Sequence, residues 1–175
     1  SRTAAIRRAA KRKSTGTTLV MLGTGMPRPD PACFGPATAV VYDGRVFLFD
    51  VGAGVMRRMS AAGLSIRGPE AVFITHLHSD HITDLNDVIT TRWVMTFVPT
   101  PLTIVGPVGT KAVVDHIVAS LEPDMGYRIA HHADLDGPPR IDVIEVTEGP
   151  IHLPGQSDGN VAIRCALTDH KPVEP

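Results

Sequence analysis

The segment Thr75-His76-Leu77-His78-Ser79-Asp80-His81 places four potential metal ligands within six residues. With so few histidines in the chain, a chance His-x-His-x-Asp-His is on the order of one in a thousand. An extended backbone puts residues two apart on one side, so His76 and His78 can converge on one ion. Asp80 and His81 then turn toward a point a few ångströms away, an arrangement that suits two metals. Imidazole and carboxylate without thiolate favour Zn²⁺, with Mn²⁺ or Fe as other candidates. Short-range ligands at the mouth of a strand-to-helix loop leave coordination positions open, which points to catalysis more than to a closed structural site.

Elements of regular structure must position this cluster, and the flanking sequence supplies them. A strand is expected at 71–75 before it, and an apolar helical rhythm runs through Ile82, Leu85, Val88, Ile89, Trp93 and Met95 after it. Upstream, 17–22 reads as a strand ended by a Gly- and Pro-punctuated loop. Residues 37–42 and 45–50 are strands joined by Asp43-Gly44, a strong hairpin signal. The stretch Val51–Gly63 carries Val55, Met56, Met59 and Ala62 at helical spacing and is ended by Gly63. Downstream, 102–106 returns to a strand and 108–121 to a helix with Val113, Ile117 and Leu121 four apart. Residues 123–140 form a polar connector with a short helix around Met125–His132, and two further strands fit 141–147 and 161–168. His131, His132 and His152 read as surface residues, and His116, beside the Val113 stripe, as a surface or core histidine and not a ligand.

Length and composition bound the rest. The 175 residues suit one domain, and 43% apolar with 5% aromatic residues give an aliphatic core. No run reaches the roughly 18 apolar residues of a membrane span. Cys33 and Cys165 make neither a disulfide framework nor a thiolate zinc cluster. Residues 1–16 hold six of the 17 bases and no acid, a local +6, leaving 11 bases against 18 acids, −7, over the rest. We read 1–16 as a basic flexible tail, assign it no function, and take 17–175 as the domain. Localisation stays open, either cytoplasmic or exported with a leader already removed.

The cluster, preceded by LGTG at 22–25 and FDVGAG at 49–54, resembles the metallo-β-lactamase superfamily, and within it the ribonuclease Z-like and arylsulfatase-like branch. The resemblance implies an α/β fold, an αββα sandwich carrying two metals at one edge of its sheets. It matches His76 and His78 to ligands of the first metal, Asp80 and His81 to ligands of the second, and His170 in LTDHKPVEP to the third histidine of the first. Asp50 matches a position that supports the metal loop by hydrogen bonding, fixing a ligand's tautomer. The family's bridging Asp and last His lie beyond its third His and have no match before Pro175, which implies only the first half to two-thirds of the domain, with an apolar sheet face left uncovered. A C-terminal half or a partner chain, including a second copy in a homodimer, is the expected cover.

The implied activity is hydrolysis of a phosphodiester, phosphate or sulfate ester by metal-activated water, with Asp80 orienting the attacking water. The alternative is a non-catalytic metal-binding half-domain. The loop MPRPDPACFGPATAV (26–40) looks closer to the sulfatase-like relatives than to the basic loop of ribonuclease Z, and the acidic body offers no field for a polyanion. These features bring a small ester level with an RNA 3′ end as the expected substrate.

Overall fold

The structure is a computed structural model that describes residues 16–65, 67–95, 101–155 and 161–170. The basic tail, apart from Gly16, lies outside the described residues. Six strands form one sheet in sequence order: β1 (Thr17–Gly23), β2 (Ala37–Tyr42), β3 (Arg45–Phe49), β4 (Ala71–Phe73), β5 (Leu102–Gly106) and β6 (Ile141–Glu145). β1, β2 and β3 pair antiparallel, and β3 through β6 pair parallel. Asp43 and Gly44 both take positive φ, 49° and 80°, as the tight turn between β2 and β3 demands.

Parallel neighbours need crossovers, and here each crossover is helical. α1 (Val55–Ala62) links β3 to β4, α2 (Ser79–Ile82) and α3 (Leu85–Met95) link β4 to β5, and α4 (Thr110–Ser120) and α5 (Glu122–His131) link β5 to β6. The apolar stripe Val55, Met56, Met59 and Ala62 packs with Leu85, Val88, Ile89 and Val114 against Ala39, Leu48, Val72 and Ile104 of the sheet. The opposite face presents Phe47, Ala71, Phe73 and Val105. It is partly covered by a small antiparallel pair, β7 (Gly149–Ile151) and β8 (Ile163–Cys165), through Ile151 and Ile163, and by Leu153 just after β7. No helix among the described residues is long and apolar enough to cross a membrane.

The pattern reading located these strands and helices, with four corrections. The expected helix over 51–63 begins only at Val55, because Asp50 and Gly54 sit at φ 58° and 88° and turn the chain before it can coil. The single rhythm expected over 82–96 is two helices broken at Thr83–Asp84, where the Asp84 N–H bonds the Val51 carbonyl at 2.9 Å instead of continuing a helical ladder. The strand expected over 161–168 is paired only at 163–165, since its partner β7 is three residues long. β7 itself was not anticipated, because Gly149-Pro150 reads as a breaker. An edge strand tolerates such a proline.

Candidate metal centre

β3 and β4 run parallel and in register, Phe49 opposite Phe73, so the residues that follow them emerge side by side at one edge of the sheet. Asp50 leaves β3 there in the left-handed conformation, with its N–H bonded to the Phe73 carbonyl at 2.8 Å. Of side-chain-bearing residues, Asp and Asn tolerate that conformation best. Asp50 accepts hydrogen bonds from the Thr75 backbone N–H at 2.9 Å, the Thr75 hydroxyl at 2.9 Å and His81 Nδ1 at 2.7 Å. The turn 51–54 is in turn stitched to the segment 81–84. Val51 N–H bonds the His81 carbonyl at 2.8 Å, and the Asp84 carboxylate accepts from Gly54 N–H at 2.6 Å. Gly52 is required at this crossing: a Cβ there would stand 2.5 Å from the backbone of Gly35 and Pro36 and 2.6 Å from the Asp80 carbonyl.

His76, His78 and His170 come together. Each can offer a ring nitrogen, and the three lie within 4.8 Å of one another. His76 Nε2 and His78 Nδ1 are 2.9 Å apart, and the His170 ring centres 4.7 Å from that of His76 and 5.3 Å from that of His78. His81 lies against this group, its ring centre 4.1 Å from that of His76, with Nε2 3.7 Å from Asp80 Oδ2. Among the described residues, Asp80 and His81 form a pair beside the trio without a third ligand of their own. His131, His132 and His152 are exposed and apart from the cluster, as the sequence suggested, and His116, left open between surface and core, is exposed as well.

Burial holds His76 below the ordinary histidine pKa, helped by the neighbouring His81, His78 and His170 and opposed by Asp50. A histidine kept neutral keeps a lone pair for a metal. The donor set fits a divalent ion of the zinc type: imidazoles converge without thiolate, and two nitrogens sharing a tetrahedral zinc stand about 3.3 Å apart, near the 2.9 Å between His76 Nε2 and His78 Nδ1. A cavity of about 630 Å³ opens beside His76, His81 and His170, walled on its apolar side by Phe49, Phe73, Val105 and Ile151.

The model of the metallo-beta-lactamase superfamily matches residues 30–169. The chain belongs to that superfamily. It is 52% identical over 159 residues to a ribonuclease Z of Mycolicibacterium paratuberculosis and 51% identical to one of Mycobacterium marinum, in both cases over 90% of this chain. It spans 55% and 56% of those proteins, about half the length of the curated relatives it matches. The fold resembles human tRNase Z, short form, at TM-score 0.64 and 22% identity, covering 89% of this chain and 61% of that one. It also resembles the metallo-beta-lactamase fold protein YhfI of Bacillus subtilis, at TM-score 0.63 and 16% identity, over 92% and 56%. The α/β architecture expected from the resemblance is present, as the part of a domain that this chain spans. The reading of loop 26–40 as sulfatase-like is not supported; these sequence matches lie on the ribonuclease Z side.

Two residues at the site were missed from sequence. Thr75 directly precedes the cluster, and its adjacency was the available signal. Asp84 sat inside an apolar rhythm that hid its role in bracing the 51–54 turn.

Proposed function

We propose that this chain carries the metal-binding part of a hydrolase that cleaves a phosphodiester in RNA, as ribonuclease Z enzymes do. In this reading His76, His78 and His170 hold a first divalent ion, zinc by preference, while Asp80 and His81 contribute to a second. The observation that carries it is the arrival of His170, from after β8, at the pair His76 and His78 from after β4. Such convergence of three exposed or polar rings has little packing value, whereas a metal gives it a purpose. A bound divalent ion would supply Lewis acidity and lower the pKa of water toward neutrality.

The chain's own residues do the rest. Asp50 and Thr75 orient the rings, and the Asp80 carboxylate, 12% exposed, stands where it can accept a hydrogen bond from the attacking water and aim it. The cavity beside His76 and His170 admits substrate from the sheet's apolar side. No side chain here is assigned to protonating the leaving group.

The described residues offer only Asp80 and His81 to a second ion, too few for tight binding. The 175-residue polypeptide is therefore expected to bind about one zinc and to be nearly inactive. A longer product supplying a further Asp and His should bind two and turn over. Metal counts and cleavage of a generic phosphodiester, an aryl sulfate and an RNA with a 3′ extension, measured on both lengths, test this. Full two-metal activity from the short polypeptide would defeat the division of labour, and aryl sulfate cleavage without RNA cleavage would defeat the substrate.

A further inference from the structure

The Thr75 side chain stands between two groups that the metal reading uses. Its oxygen is 2.9 Å from Asp50 Oδ2 and 3.1 Å from Asp50 Oδ1, and on its other side 3.0 Å from His76 Nδ1. An ionised carboxylate only accepts, so the single hydroxyl proton points to Asp50. The threonine oxygen is then left as an acceptor toward His76, which must donate from Nδ1. Nε2 of His76 is thereby stripped of its proton, and Nε2 is the atom that faces His78 Nδ1.

The same carboxylate acts on His81 without an intermediary, accepting a hydrogen bond from Nδ1 at 2.7 Å, so that Nε2 is the nitrogen turned toward Asp80. Resting on the metal reading above, we infer that Thr75 is a positioning residue, a hydroxyl relay through which Asp50 fixes the Nδ1–H tautomer of His76 while fixing that of His81 directly. One carboxylate thus prepares one ring in each half of the site. The backbone supports this geometry, because the Thr75 N–H is itself tied to Asp50 Oδ1 at 2.9 Å. That bond survives any side-chain change, so the relay can be removed without releasing the strand end.

The test uses the protein, its Thr75→Val and Thr75→Ala variants, and Thr75→Ser, which keeps the hydroxyl. With histidine-selective ¹⁵N labelling of the metal-free protein, His76 should be protonated at Nδ1 in the unmutated and Ser forms and lose that preference in the Val and Ala forms. His81 should be unchanged in all four. Zinc affinity, measured by competition with a chelator, should fall about tenfold or more in Val and Ala, as other outer-layer partners of zinc-bound histidines suggest, and recover in Ser. A His76 ring still held at Nδ1–H without the hydroxyl, a smaller affinity change, or a loss that Ser does not rescue overturns the relay. If the unmutated protein binds no zinc, the metal reading fails, and the ring tautomers alone still decide the part played by Thr75.

Discussion

On the helix-covered face of the sheet Leu48, Val72 and Ile104 are fully buried, whereas on the opposite face Leu19 and Met21 of β1 remain 63% and 53% exposed. The difference follows from where the covering segments come from in sequence. Helices α1, α3 and α4 return over the strands they connect, so local connectivity closes that face. The other face receives only β7 and β8, which reach Phe47, Phe73 and Val105 but leave β1 open. The candidate metal site sits where the two regimes meet: four of its residues come from the closed β4–α2 connection, and His170 arrives with the partial cover. Closing the open face and completing the site are, in our proposal, the work of the same further stretch of chain.

Replacing both His76 and His78 by Ala should cause the largest change, removing most of the bound zinc as read by metal analysis, because two of three ligands are lost from one ion. Unchanged metal content would place the site elsewhere and end the comparison. Next, Asp80→Asn in the full-length protein should lower turnover by about a hundredfold or more, as loss of a group that handles the attacking water does. Its unfolding midpoint should stay near that of the unmutated protein; normal turnover would show that Asp80 only braces the loop.

Leu48→Ala probes the closed face and should cost about 2–5 kcal/mol in denaturant unfolding, since the fully buried side chain leaves a cavity. The smallest effect is expected for Met21→Thr in the 175-residue polypeptide, within about 0.5 kcal/mol, because its side chain already meets water. In a longer product that covers β1, the same change should become clearly destabilising. Equal small effects in both lengths would mean that β1 stays open, and the distinction between the faces would then not depend on chain length.

Much of this arrangement was legible before any coordinates. The hairpin at Asp43-Gly44 could be read because both turn residues must take positive φ and few residue pairs do so easily. The stripe of α1 could be read because its four apolar residues repeat at the helical period and all four are buried. The break at Thr83–Asp84 could not, because it is dictated by bonds to Val51 and Gly54, some thirty residues away in the chain and invisible to a periodicity. β7 was hidden for a related reason: three residues containing Gly and Pro become a strand only when β8 is beside them.

The sequence by itself determined which ligand types are available, since His76, His78, Asp80 and His81 fall within six residues and backbone geometry alone keeps them near one another. It also carried the family resemblance that the superfamily match bears out. Only the tertiary structure decided how these residues are arranged. Parallel pairing of β3 with β4 sets Asp50 beside Thr75 and His81, and the β7–β8 pair precedes the segment that brings His170 to His76 and His78. Ligand types are a property of the residues. Which nitrogen of each ring carries a proton, and which rings share a point in space, depends on hydrogen bonds between segments far apart in sequence, and those exist only once the sheet has formed.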